Sequence, residues 1–302
     1  MEIEWKNSFI EKYSELTDIE KFKEFSLRPL RRSIRVNTLK ISIEELKKRL
    51  EKKWELRQIP WSKEGFWIEG GRVDAGNSIE HMLGYFYIQE AASMIPPLAL
   101  NPLENDIILD SCAAPGSKTS QLAALMNNKG LIIANDVTYM RLKPLTINLQ
   151  RCGVLNTVQT VHDARLFKKY KFDKILLDAP CSGTGAIRKS LKTIKIWNPK
   201  FCSRMAKIQS KMLEAAFTGL KEGGSLVYST CTLEPEEDEI VIQKFIEKNE
   251  NAKVEKINLP IKTQSLKKYK DVVFDKSIKN TIRIWPQDYD TEGFFVAKIS
   301  KD

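Results

Sequence analysis

Five cysteines and two histidines limit the chemistry that this chain can perform. An odd number of widely spaced cysteines with no Cys-x-x-Cys argues against both a disulfide framework and a zinc ribbon. The two histidines, His81 and His162, leave little material for a metal cluster or a Ser-His triad, so we predict no metal site. An enzyme built from this chain would depend on Cys, Asp and Lys side chains. The cysteines are Cys112, Cys152, Cys181, Cys202 and Cys231.

Two of these cysteines and one aspartate follow apolar runs that are typical of buried strands. Asp178 comes directly after residues 172–177, Cys181 stands three positions later, and Cys231 directly follows residues 225–230. Ligands bind at the carboxyl ends of the strands in an open parallel sheet, so we expect these three side chains to converge on one cleft. A cysteine in a polar turn after a strand is a better candidate for a reactive thiol than an isolated buried cysteine.

A turn of small residues opens the first predicted helix of the same region. Backbone N–H groups at such a helix N-terminus can approach an anionic group, and Lys118 can add a positive charge. The turn has neither the G-x-G-x-x-G nor the Walker pattern, which disfavours a dinucleotide or a triphosphate. The next two strands end near Asp136 and Asp163, and Asp136 stands about where an acidic residue meets ribose hydroxyls. The turn consists of Cys112, Ala113, Ala114, Pro115, Gly116, Ser117 and Lys118.

Alternation of apolar runs with helical periodicity predicts an α/β fold with a doubly wound, mostly parallel sheet. The predicted strands are residues 106–112, 131–135, 157–161, 172–177 and 225–230. The predicted helices are residues 118–126, 138–151, 201–220 and 236–248. The third helix is expected to stop at Gly223 and Gly224. Closely spaced apolar runs at 272–274, 282–285 and 294–299 predict an antiparallel edge.

The N-terminal region predicts a separate small α+β domain. Residues 33–39 and 61–68 are strand-like, and residues 70–77 are typical of a loop. Ser42 and Glu45 form a capping-box signature for a helix that extends to residue 54. We therefore divide the chain into an N-terminal domain, residues 1–75, and a larger domain, residues 76–302.

Charge and hydropathy indicate a globular protein with a polyanionic partner. The 302 residues include 42% hydrophobic and 29% charged residues, which excludes disorder, and the formal net charge is +10. No apolar run approaches the length of a membrane span and no signal peptide is visible, so we predict no membrane partner and a cytoplasmic location. Two segments are strongly basic: the first is as typical of a solvated surface as of contact with a nucleic acid, and for the second we favour contact with phosphates. They contain Arg28, Arg31, Arg32, Arg35 and Lys40, and Arg188, Lys189, Lys192, Lys195, Lys200, Arg204, Lys207 and Lys211.

Three motifs resemble the signatures of the S-adenosylmethionine-dependent RNA (cytosine-5)-methyltransferases of the NOL1/NOP2/Sun family. They are LDSCAAPGSKT, LLDAPCSGTG and YSTCTLEPEEDE, and similarity extends to RVNTLK, GYFYIQEAASMIPPLAL and RIWPQDYDTEGFFVAKI. The resemblance covers nearly the whole chain, and the layout is similar to compact archaeal members that methylate tRNA. One departure is Ser117, where the family usually has glycine.

The resemblance implies a Rossmann-like methyltransferase fold, a covalent mechanism and a role for each motif. Cys231 would add to C6 of cytosine, Cys181 would assist release, and Asp178 would contact the N3/N4 edge of the base. The turn 112–118 would hold the methionine part of S-adenosylmethionine. The wider cofactor set would comprise Asp136 at the ribose, Asp163 at the adenine, and Arg141 and Asp178. The implied partner is RNA, with tRNA favoured and rRNA as the alternative, and we expect a monomer.

Two other readings of the motifs stay open at this point. A DNA cytosine-5-methyltransferase would use the Pro-Cys cysteine as its nucleophile, but Cys231 and the basic N-terminal domain disfavour it. A non-catalytic RNA-binding or assembly factor with a decayed cofactor site is disfavoured by intact motifs at every strand end.

Overall fold

The computed structural model describes residues 4–70, 74–262 and 265–302. It begins with two helices, α1 (Asn7–Ser14) and α2 (Ile19–Leu27), followed by a small antiparallel sheet of spatial order β2-β3-β1-β4. This sheet and the two helices between its strands comprise β1 (Ser33–Val36), α3 (Ile43–Leu50), β2 (Glu55–Gln58), β3 (Gly65–Glu69), α4 (Ile79–Met82) and β4 (Phe86–Ile88). The fourth strand lies beyond residue 75, where we placed the domain boundary, and that boundary stays a prediction.

The larger sheet confirms the predicted α/β class. Its spatial order is β10-β14-β9-β8-β5-β6-β7, with β13 paired to β14. The five consecutive strands β9, β8, β5, β6 and β7 are parallel to one another. β14 pairs antiparallel with β9, and β10 pairs antiparallel with β14, so these two strands form an antiparallel edge. Its first elements are α5 (Ile95–Leu100), β5 (Ile107–Asp110), α6 (Ser117–Leu125), β6 (Leu131–Asp136), α7 (Tyr139–Cys152), β7 (Thr157–Val161) and β8 (Phe172–Asp178).

The second half of the domain supplies the remaining strands and the longest helix. Its elements are α8 (Lys192–Ile196), α9 (Pro199–Gly219), β9 (Leu220–Thr230), α10 (Glu239–Lys248), β10 (Ala252–Glu255), β11 (Lys268–Tyr269), β12 (Val272–Val273), β13 (Ile282–Ile284), α11 (Pro286–Tyr289) and β14 (Phe294–Lys301). Among the described residues, no helix has both the length and the apolar character that a membrane crossing requires.

Several predicted elements differ from the structure, including the strand predicted at 61–68, which is β3 at Gly65–Glu69, and the strand predicted at 225–230, which begins at Leu220. The helix that was expected to stop at Gly223 and Gly224 ends at Gly219, and both glycines lie inside β9. The helix capped by Ser42 ends at Leu50 rather than residue 54, because the chain turns there into β2. Residues 272–274 were expected at the edge of the large sheet, but β12 pairs with β11 in a separate hairpin. The loop predicted at 70–77 includes residues 71–73, which lie outside the described residues.

The N-terminal basic segment is largely committed to internal contacts. Arg35 is buried, and its guanidinium donates to Ser117 O at 2.7 Å and to Ser120 Oγ at 2.8 Å, so it joins the small sheet to α6. Arg31 pairs with Glu69, and Lys40 donates to the carbonyls of Leu83 and Arg151. Neither interpretation of this segment, a solvated surface or contact with a nucleic acid, is therefore correct for Arg35, whose hydrogen-bonding groups face the protein interior.

Candidate active site

The carboxyl ends of β8 and β9 place the two candidate cysteines in direct contact. These strands are parallel neighbours, with Asp178 opposite Ser229 in the register. The chain leaves both strands in the same direction, and Cys181 Sγ lies 3.4 Å from Cys231 Sγ. Both residues are half-buried, so the pair lies at the edge of the core and remains open to a substrate.

A chain of short polar contacts fixes the two cysteine turns against each other. Thr232 Oγ1 lies 2.8 Å from Ser182 Oγ and 2.8 Å from Thr184 Oγ1. The Gly185 N–H donates to the carbonyl of Cys231 at 3.0 Å, and Gly293 N–H donates to the Gly185 carbonyl at 2.9 Å. Because all these groups are satisfied by one another, the separation of the sulfur atoms is set by the protein and not by a ligand.

Lys118 and Asp178 form an ion pair next to the cysteines. Lys118 Nζ donates to one carboxylate oxygen of Asp178 at 2.7 Å, and Ser229 Oγ donates to the other at 2.7 Å. Burial opposes the charge of Lys118, but its ion pair and hydrogen bond with Asp178, together with the neighbouring Cys231 and Asp110, outweigh burial, and the pKa of Lys118 is raised. Cys231 also raises the pKa of Lys118, so the ammonium group is close enough to stabilise a thiolate on Cys231.

The thiol of Cys181 is held in its protonated form. The contact with Cys231, followed by burial, raises the pKa of Cys181 well above its ordinary value. The Cys181 side chain is therefore expected to carry its proton at neutral pH.

The turn after β5 has the features of a cofactor site. Gly116 has φ of 102°, which favours glycine, and an added Cβ would lie 3.0 Å from Leu145 Cδ1. α6 begins directly after it without a side-chain N-cap, which leaves backbone N–H groups for a ligand. Within the described part of the chain, Asp110 Oδ1 and Ser111 Oγ are buried without a hydrogen-bond partner. These orphaned atoms and the glycine cradle fit a polar ligand such as S-adenosylmethionine.

Asp136, Arg141 and Asp163 surround this turn but already have protein partners. Asp136 accepts from Ala114 N–H at 3.1 Å and from Val137 N–H at 2.8 Å, and it pairs with Arg141 at 2.8 Å. Asp163 pairs with Arg165, whose hydrogen bonds lower the pKa of Asp163 to about 2. Burial and neighbouring carboxylates raise the pKa of Cys112, so its thiol stays neutral.

The basic segment after Cys181 divides into a buried arginine and an exposed face. The Arg188 side chain is buried and pairs with Asp290 at 2.7 Å, while it donates to the carbonyl of Pro29 at 2.7 Å. The prediction that Arg188 contacts phosphate is therefore wrong, because its guanidinium holds the N-terminal region on the loop before β14. The other basic residues of the segment, Lys189, Lys192, Lys195, Lys200, Arg204, Lys207 and Lys211, are exposed.

Sequence reasoning missed that several carboxylates of the acidic run after Cys231 are fully buried. Its carboxylates bind specific donors: Glu234 accepts from Tyr13 OH at 2.8 Å, and Asp238 pairs with Arg283 at 3.0 Å. Acidic runs are ordinarily solvated, so charge alone pointed to the surface. The available signals were the position directly after Cys231 and the single arginine inside the apolar run 282–285. The buried members are Glu234, Glu237, Asp238 and Glu239.

Comparisons with known proteins give two family matches and several similar proteins. The family described as 16S rRNA methyltransferase RsmB/F matches residues 97–300, and the N-terminal domain of 16S rRNA methyltransferase RsmF matches residues 6–91. The tRNA (cytosine(49)-C(5))-methyltransferase of Pyrococcus abyssi is 47% identical over 296 residues, which are 97% of this chain and 95% of that protein.

A second relative and a solved structure extend the comparison. Ribosomal RNA small subunit methyltransferase F of Psychromonas ingrahamii is 46% identical over 297 residues, and the match covers 94% of this chain and 60% of that protein. This chain thus spans about three fifths of the bacterial relative. The crystal structure of NSun6 from Pyrococcus horikoshii with SFG has a TM-score of 0.87 and 27% identity, and the match covers 98% of each chain.

Proposed function

Because the chain belongs to the RsmB/F family of RNA methyltransferases, we propose that it transfers a methyl group from S-adenosylmethionine to C5 of cytosine in tRNA. The resemblance to the Sun family, which the sequence motifs indicated, is confirmed. The observation that carries the mechanism is the 3.4 Å contact between the sulfur atoms of Cys181 and Cys231 beside the Lys118–Asp178 ion pair.

The first half of the reaction makes C5 nucleophilic. The thiolate of Cys231 adds to C6, a S–C6 bond forms, and the electron pair of the C5–C6 double bond moves toward C5. S-adenosylmethionine, when bound, would supply the methyl group from its positively charged sulfonium to C5, and its sulfur would leave as a neutral thioether. Lys118 stabilises the Cys231 thiolate before attack, because its ammonium group lies near that sulfur.

The second half of the reaction restores the aromatic ring. The hydrogen on C5 leaves as a proton to solvent, and the electrons of that C–H bond form the C5–C6 double bond. The S–C6 bond breaks with its electron pair on sulfur, which regenerates the Cys231 thiolate. Cys181 lies next to the departing sulfur and assists this elimination. A thiol whose pKa is raised stays protonated at neutral pH and can donate a hydrogen bond to the sulfur of Cys231 as it leaves.

Asp178 supports recognition of cytosine. Its carboxylate would accept a hydrogen bond from the N4 amino group, whereas uracil presents an oxygen at the equivalent position. A site that is built to satisfy a polar group rejects an analogue that leaves its own buried polar atoms unpaired. The same carboxylate is held by Lys118 and Ser229, so its position is fixed before the base arrives.

The archaeal relative that matches nearly the whole chain supports tRNA as the substrate. rRNA is the alternative, because the bacterial relative is a ribosomal RNA small subunit methyltransferase, and the match covers 60% of its length. SFG, an analogue of S-adenosylmethionine, in the NSun6 structure supports the cofactor. A cytoplasmic location and a monomeric state belong to the same proposal.

Replacement of each cysteine in turn tests the mechanism. Cys231→Ala is expected to abolish both methyl transfer and any covalent protein–RNA adduct, because C5 cannot become nucleophilic without addition at C6. Cys181→Ala is expected to methylate once and then retain the RNA as a denaturation-resistant band in gel electrophoresis. Cys202→Ala is the matched control, since Cys202 is buried in α9 and leaves both sulfur atoms of the cleft in place.

The substrate is identified with tRNA and rRNA transcripts and bisulfite sequencing of the products. An adduct that vanishes with Cys181→Ala and remains with Cys231→Ala would reverse the two roles and favour the DNA-type mechanism. Methylation of rRNA alone would replace tRNA as the substrate.

A further inference from the structure

Two buried side chains hold the turn that carries Cys181 from both sides. Gln209 Nε2, on α9, donates to the carbonyl of Pro180 at 2.9 Å, and the Ser182 N–H donates to Glu237 Oε2 at 3.0 Å. Gln209 Nε2 also donates to the same oxygen of Glu237 at 2.8 Å. The backbone on either side of Cys181 is therefore attached to one linked pair of side chains.

This pair is retained at an energetic cost. Gln209 and Glu237 have no exposed surface, and burial raises the pKa of Glu237 to about 7. In the described part of the chain, Gln209 Oε1 and Glu237 Oε1 are buried without a hydrogen-bond partner. A leucine or methionine pair would fill the same space without leaving polar atoms unsatisfied. Stability therefore does not explain this pair, whereas the position of the turn between the two residues does.

We propose that Gln209 and Glu237 are positioning residues that hold the Cys181 thiol against Cys231 for the release step. This inference rests on the proposed function, in which Cys181 assists elimination of the Cys231 sulfur. Neither residue touches the substrate in this proposal. They act through the backbone of Pro180 and Ser182, which flank the thiol directly.

We call the linked pair Gln209 and Glu237 the clamp. Its position separates its effect from the rest of the reaction. Cys231 is attached to β9 and to Gly185, and neither Gln209 nor Glu237 bonds to its backbone. Loss of the clamp therefore leaves the attacking sulfur and the Lys118–Asp178 pair in place. The turn with Cys181 is released, and a displacement of about 1 Å is sufficient to slow a proton transfer or an elimination by one to two orders of magnitude. Methyl transfer in the first turnover is preserved while release slows.

Gln209→Met tests the inference, because methionine has a similar length and lacks the amide donor. The expected result is a first-turnover methylation rate within about threefold of the parent and a steady-state turnover reduced about tenfold, with a covalent adduct that accumulates. Glu237→Leu is expected to behave in the same way. Glu237→Gln retains the acceptor for Ser182 and Gln209, and should turn over about fivefold faster than Glu237→Leu.

Gln243→Met is the matched control, since Gln243 is a buried glutamine on α10 that bonds to Glu247 and residue 275, away from the cysteines. Rapid-quench methylation and the denaturation-resistant band give the two rates, and thermal unfolding with calorimetric cofactor binding checks the fold. If Gln209→Met is unfolded, Gln209→Asn, which is one methylene shorter, takes its place.

Two results would overturn the inference. Equal loss of first-turnover and steady-state rates without an adduct would show that the pair merely stabilises the fold, and unchanged turnover would show that the pair is dispensable. Failure of the proposed function is distinguishable from both. It would appear as the absence of an adduct in Cys181→Ala itself, whereas an adduct with Cys181→Ala but not with Gln209→Met contradicts the clamp alone.

Discussion

Gly185→Ala is expected to separate the two cysteine turns. A Cβ on Gly185 would lie 2.1 Å from the carbonyl oxygen of Gly293 and 2.9 Å from that of Cys231. Both neighbours are backbone carbonyl oxygens, so no flexible side chain can move aside. The Gly185 N–H donates to the carbonyl of Cys231, and the Gly293 N–H donates to the carbonyl of Gly185, so the three backbones are already joined. The turn must therefore shift by roughly 1 Å relative to Cys231, and a misplacement of that size can lower a catalytic rate about 100-fold.

The overlap should also lower stability by about 1 to 3 kcal/mol, as is typical of overpacking in a closely packed region. Gly76→Ala is the control, because its Cβ would meet nothing closer than Ile88 Cδ1 at 3.9 Å. Single-turnover methylation of tRNA and thermal unfolding measure the two effects, and calorimetry checks that cofactor affinity is retained. Full activity of Gly185→Ala with an unchanged unfolding temperature would refute the claim that this contact sets the distance between the sulfur atoms.

Three further predictions address the cofactor, the RNA and pH. Asp136→Ala should weaken S-adenosylmethionine binding about tenfold or more in calorimetry, because it removes the acceptor proposed for the ribose hydroxyls and releases the Ala114 N–H; normal affinity would move the proposed ribose site elsewhere. Alanine at Lys200, Arg204 and Lys207 together, on the exposed face of α9, should lower the log–log salt slope of RNA binding by about two to three units. An unchanged slope would remove this face from the interface. Burial raises the pKa of Glu237 to about 7, so its stabilising contribution is fully present below pH 4.5 and is lost as pH rises through 7. The free energy of unfolding should therefore fall by about 3 kcal/mol over that range from this group, and denaturant titrations of Glu237→Gln should lack that part of the decrease.

The elements of the large domain followed closely from the sequence. Short apolar runs separated by helical periodicity placed β5, β6, β7, β8 and β9 within a few residues of their observed bounds, apart from the early start of β9. Boundaries were wrong where a turn depended on distant residues. The glycines at 223 and 224 are typical of a helix end, but Gly219 packs closely against the backbone of Phe167, and the chain already enters the sheet at Leu220.

The sequence by itself determined which residues stand at the carboxyl ends of the parallel strands, because strand order and chain direction bring those ends to one edge. It therefore predicted that Asp178, Cys181 and Cys231 converge on one cleft and that Lys118 lies in the turn after the first parallel strand. Only the tertiary structure decided the distances and the supporting contacts. The 3.4 Å separation of the sulfur atoms depends on Gly185 lying against Gly293, which follows more than a hundred residues later.

Tertiary structure also decided which charges are available to a ligand. Arg35 and Arg188 belong to basic segments that the sequence assigns to a surface, yet both are buried and bind protein carbonyls. Glu237 belongs to an acidic run, yet it is enclosed beneath the turn that carries Cys181. A charged side chain is buried only when distant parts of the chain supply its partners, and local sequence contains no record of those partners.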